Sequence, residues 1–130
     1  MSVTQSRVVV AGLLFVFIFL FGFLLTRAGK PYPTFLFTIH KLAAVGAAVW
    51  VGIAIFRINQ VAPLSQMQVL AIAVTGSLFV LMMASGGVIS AVKSAPSIAV
   101  TLHHYLPYLT LMSSAWMIYS VMVKEVAAAT

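Results

Sequence analysis

The chain has no cysteine, and its 130 residues include a single acidic one, Glu125. The first absence excludes disulfides, thiolate metal sites and cysteine-attached prosthetic groups. The second excludes paired-carboxylate hydrolysis. It also leaves no membrane-embedded carboxylate to drive ion-coupled transport, since Glu125 follows the last apolar run. No phosphate loop is present, nor any nucleophile with a positioned base, so the chain reads as an accessory or carrier protein and not as a stand-alone enzyme. Charge of either sign is scarce as well: 6% of residues are charged, where a soluble domain carries roughly a quarter.

What the chain does have is apolar sequence, 63% of its residues. This falls into four runs, at about 8–26, 34–56, 67–92 and 97–123. Each is long enough to cross a hydrocarbon core of ~30 Å as a helix rising ~1.5 Å per residue. The connections, "RAGKPYP", "RINQVAPLSQ" and "KSAP", are short, and short connections make successive helices antiparallel neighbours. The expected fold is an all-α integral membrane protein, a single domain over 1–130 in which four transmembrane helices form a bundle. The first run is too long for a signal-peptide core and has no clear small-residue cleavage site, so it is kept as a helix.

The net charge of +6 does not indicate nucleic acid. The basic residues stand singly at helix ends, where a bilayer places flanking cations, and form no patch. Arg7, Arg57 and Lys124 fall on one side, with Arg27, Lys30, Lys41 and Lys93 on the other, close to a tie for the positive-inside rule. The short tail ending in Arg7 points to cytoplasmic termini.

The chain also resembles itself. Gly12-Leu-Leu-Phe-Val16 matches Gly76-Ser-Leu-Phe-Val80, and Gly22 falls on Gly86 in the same register. After a one-residue slip Lys30 matches Lys93, Pro33 matches Pro96, Thr38 matches Thr101 and His40 matches His103. The halves, about 8–56 and 72–123, read as two copies of one helical hairpin. Two copies in the same orientation are related by a pseudo-two-fold axis along the membrane normal. Convergence on a Lys flank and a Pro helix start is the competing explanation.

The repeat draws a set of residues into one layer. His40 and His103 each lie six residues beyond the start of their spans, roughly 9 Å down a helix. The first and third spans run the other way and bring Gly22, Gly86 and Gly87 to nearly the same level. Two imidazoles, beside helices lacking side chains there, leave room for something flat. Arg27, Lys30, Lys41, Lys93 and His104 form a cationic rim above. Axial nitrogens, a close-packed face and cations for propionates are what a haem requires. One haem b is therefore expected, with His40 and His103 as iron ligands. His104 points about 100° away from His103; it becomes the alternative ligand if the repeat is coincidental. The competing role for these histidines is structural, bridging helices through Thr38, Thr101 or a backbone carbonyl.

Other residues say less. Pro107 removes a hydrogen bond to the carbonyl of His103. Tyr32, Tyr105 and Tyr108 suit interfacial anchors or a quinone or haem-edge pocket. Met82, Met83 and Met112 read as packing. Phe15, Phe17, Phe19, Phe21 and Phe23 spread around most of the first helix, as lipid-facing or partner-facing bulk.

In architecture, and in His40, His103, Gly22, Gly86, Gly87 and the basic rim, the chain resembles the four-helix membrane-bound b-type cytochromes and the haem-carrying anchor subunits of quinone-linked oxidoreductases. The resemblance implies electron transfer by a small subunit of a respiratory or photosynthetic complex. It also implies other membrane subunits as partners, possible quinone contact, and a prokaryotic plasma-membrane location. Two-haem members carry a deeper histidine pair; here that region reads "AVWVGIAIF" and "SSAWMIYSV", which implies one haem. A cofactor-free structural subunit and a chlorophyll-type pigment-binding subunit are the competing functions.

Overall fold

The computed structural model describes the backbone of residues 3–129 and the side chains of residues 5–121. Four helices follow one another: α1 (Val3–Ala28), α2 (Thr34–Val61), α3 (Gln66–Ala91) and α4 (Ser97–Ala129), with no strand among the described residues. Three are long and apolar enough to cross a membrane, over Gln5–Ala28, Thr34–Val61 and Gln66–Ala91.

The helices overrun the apolar runs, for local reasons. α2 continues five residues past Phe56, because nothing in "RINQV" breaks a helix before Pro63, and Ala62 closes it with its N–H on the Ile58 carbonyl. α4 continues past Val123 to Ala129 through good helix formers, so Glu125 lies within the helix and not beyond it; the side chains of Lys124 and Glu125 fall outside the described residues. Pro107 leaves α4 unbroken. α1 ends at Gly29, whose φ of 70° suits glycine and whose N–H reaches the Leu25 carbonyl.

The chain divides at the Pro63–Leu64 junction into two compact units, each a helical hairpin, with α1 packed on α2 and α3 packed on α4. In the first, α1 buries Ala11, Phe15, Ile18 and Leu25, and α2 buries Ala47. The steps of three, four and seven trace a heptad-like seam, and Gly22 occupies the open place in it. Phe15 therefore packs inside the hairpin, against the outward role expected for the phenylalanines. Phe17 and Phe23 are exposed, as expected, and the rings of Phe17 and Phe21 lie 4.3 Å apart.

The second hairpin has a polar seam. α3 buries Gln68, Ala71, Thr75, Phe79, Met82 and Ser85; α4 buries Ala99, Leu106, Thr110, Ser113, Ser114 and Met117. Thr75 Oγ1 and Ser113 Oγ are 2.6 Å apart across it. Thr110, fully buried, donates to the Leu106 carbonyl of its own helix. Gln68 serves two elements. Its side chain accepts from the Ser65 N–H while Ser65 Oγ accepts from the Gln68 N–H, a capping box for α3. Its Nε2 donates to the Ser120 carbonyl on α4.

In an apolar medium such bonds hold helices together, yet they average only about 0.6 kcal/mol and reach about 1.7 kcal/mol. A double-mutant cycle of Thr75→Val with Ser113→Ala, read from reversible unfolding in bicelles, should give a coupling within that span. Zero coupling would show that the 2.6 Å contact contributes nothing to the hairpin.

Candidate functional site

Each hairpin carries the same local arrangement, near the end where its loop lies. His40 is the seventh residue of α2 and His103 the seventh of α4. Both rings reach sideways to the neighbouring helix. His40 Nδ1 lies 3.1 Å from the Ile18 carbonyl oxygen, and His103 Nδ1 lies 3.0 Å from the Met82 carbonyl oxygen. Ile18 stands four residues before Gly22, and Met82 four before Gly86.

Helix geometry explains the spacing. A carbonyl at position i−4 accepts the N–H of residue i and keeps a second lone pair. The Cβ of residue i tilts toward the N-terminus and shields that lone pair. Glycine at i removes the shield, and an imidazole can then approach from the side. A Cβ built on Gly22 would stand 3.1 Å from His40 Cε1; one built on Gly86 would stand 2.6 Å from His103 Cε1 and 3.1 Å from its Nδ1. Gly87 has nothing within 4 Å at its Cβ position, so of the two adjacent glycines it is Gly86 that lies against the ring.

A carbonyl oxygen can only accept, so the hydrogen bond assigns the proton to Nδ1 in both rings and, in the neutral imidazole, a lone pair to Nε2. Metal-ligating histidines characteristically have this arrangement, with one nitrogen tied to a carbonyl and the other available as donor. The second hairpin adds a hydroxyl: Ser85 Oγ donates to the Met82 carbonyl at 2.9 Å and lies 3.2 Å from His103 Nδ1.

The basic residues are placed differently from an open rim. Arg27 lies over the Phe23 ring at 5.1 Å, Lys30 over Tyr32 at 5.8 Å and Lys41 over Phe37 at 4.3 Å. Tyr32 and Phe37 stack at 5.8 Å with 14° between their planes, so Lys30, Tyr32, Phe37 and Lys41 form one continuous cation–aromatic ladder, suited to a membrane interface. Lys93, His104, Tyr105 and Tyr108 are exposed. Met83 and Met112 are exposed as well, whereas Met82 is buried, and its part in the site is its backbone carbonyl.

Among the described residues no three or more His, Asp or Glu side chains come together in a way that could hold a metal ion. The site residues that sequence reasoning missed are Ile18, Met82 and Ser85. The first two act through the backbone and carry no residue-type signal. Ser85 falls opposite Phe21 in the self-alignment, and so outside the matched positions.

Comparison of the chain with protein-family models, with curated proteins and with solved structures finds no match in any of the three.

The two glycines should respond unequally to a methyl. Glycine to alanine within a helix gains up to ~1 kcal/mol in propensity, while overpacking costs typically ~1–3 kcal/mol. Gly22→Ala, whose neighbour must yield by a few tenths of an ångström, should be near neutral. Gly86→Ala should destabilise its hairpin and shift the His103 ring nitrogen resonances. Equal effects of the two variants in an NMR and unfolding comparison would contradict the packing described.

Proposed function

We propose that the chain is an integral membrane protein, a four-helix bundle of two repeated hairpins, that binds one haem b and transfers electrons. His40 and His103 are the residues that would hold its iron. The observation that carries this reading is the repeated Nδ1–carbonyl bond, which ties both imidazoles to a neighbouring helix and sets the proton on Nδ1, the arrangement characteristic of metal-ligating histidines. The donor set also suits the group: a porphyrin brings four nitrogens of its own and asks the protein for only two. A cage built from protein ligands alone would need three or four. Gly22 and Gly86 admit each imidazole to the carbonyl that holds it, and Arg27, Lys30, Lys41, Lys93 and His104 remain the candidate propionate partners.

When bound, the haem supplies a one-electron couple at its iron. The chain's own residues hold the imidazoles in one tautomer and exclude water with an apolar shell, and both features set the potential. One haem cannot relay electrons across a membrane alone. The protein therefore serves as a small subunit beside other membrane subunits, with a quinone as possible exchange partner, in a prokaryotic plasma membrane with cytoplasmic termini.

The second reading is a cofactor-free structural subunit. The same carbonyl bonds favour it, since they satisfy each histidine across its hairpin without any ligand. Pigment binding through a single Nε2 is the third.

A visible spectrum of the purified protein, oxidised and reduced, separates them. The sharp bands of a six-coordinate haem are expected, lost in His40→Ala and in His103→Ala. Protein that is colourless and stays colourless after haemin addition, with both variants assembling normally, would establish the structural role, and extracted chlorophyll would establish the pigment role.

A further inference from the structure

His103 Nδ1 has two oxygens within hydrogen-bonding distance, the Met82 carbonyl at 3.0 Å and Ser85 Oγ at 3.2 Å, and the hydroxyl itself donates to that carbonyl at 2.9 Å. The three atoms close a triangle. In it the ring proton is shared between two acceptors, while the hydroxyl is held in place by its own bond to the carbonyl. Ser85 is buried, so no bulk water competes for its oxygen. The alternative tautomer would set an Nδ1 lone pair against the carbonyl lone pair at the same short distance, and the Ser85 hydroxyl could donate to that nitrogen only by giving up its own bond to the carbonyl.

We propose that Ser85 is a positioning residue: it locks the tautomer and ring plane of His103, fixing where the Nε2 lone pair is presented. The self-alignment sets Phe21 at the equivalent place in the first hairpin, so the serine at this position is a feature of the second copy. The consequence for haem retention rests on the function proposed above; the lock itself does not.

The test uses the full chain in bicelles with 15N-labelled histidine. Exchange of the His103 Nδ1 proton with water should be about fivefold faster in Ser85→Ala, the equivalent of one ordinary hydrogen bond. Ser85→Thr should restore the slow rate. Ser77→Ala removes an exposed hydroxyl of the same helix that donates to the Ala73 carbonyl and should leave the rate unchanged. In haem-loaded protein, transfer of haem to apomyoglobin should be about 10-fold faster in Ser85→Ala, as expected when a group behind a ligating imidazole is lost. Unchanged exchange at His103 in Ser85→Ala, or equal acceleration by Ser77→Ala, would overturn the proposal. Wild-type protein that takes up no haem would remove the ligand role, and the exchange rates would still decide the part played by Ser85.

Discussion

An imidazole placed in apolar surroundings must find a partner for its N–H, because an unpaired polar group there costs several kcal/mol, roughly 4–8 against an alkane. The rest of the site depends on how this chain meets that demand. Helix carbonyls are the most abundant acceptors in an apolar bundle, but side chains cover them. Gly22 and Gly86 each uncover one, and His40 and His103 take them. The demand thus fixes which helix each histidine faces, where a glycine lies against the ring, most tightly at Gly86, and which ring nitrogen carries the proton.

Around that shared feature the hairpins diverge. The first packs through apolar residues and a glycine, with Phe15 and Ile18 filling its seam. The second packs through hydroxyls and an amide, with Thr75, Ser113, Thr110 and Gln68 each bonded within it. Both solutions satisfy the same geometric requirement, close approach of two helices. Small or self-satisfied polar side chains achieve in one what heptad-spaced apolar residues achieve in the other.

Much of this was legible in the sequence. Apolar runs and short connections foretold the four helices, and the matching of His40 with His103 and of Gly22 with Gly86 singled out the four residues that the structure brings together as His40 with Gly22 and His103 with Gly86, each inside its own hairpin. The rest was hidden for physical reasons. A carbonyl acceptor has no residue signature, so Ile18 and Met82 could not be read. Gly86 and Gly87 are indistinguishable until helix phase is known. The sequence suggested a cationic rim, but not that Arg27, Lys30 and Lys41 lie over Phe23, Tyr32 and Phe37, because local side-chain stacking depends on rotamers. Helix ends were underestimated at α2 and α4, where polar residues continue a helix simply because nothing stops it.

The position of the histidine bonds within each hairpin bears on how the protein is made. Each spans only 22 or 21 residues of chain and closes within two turns of the start of the second helix. As the polypeptide is synthesised, α1 is complete before α2 begins, and the first two turns of α2 already contain the group that recognises it. Pairing can start while most of α2 is still unmade, and the same holds for α3 and α4. The loop-proximal histidine is therefore placed to set the register of each hairpin while the chain is still being made.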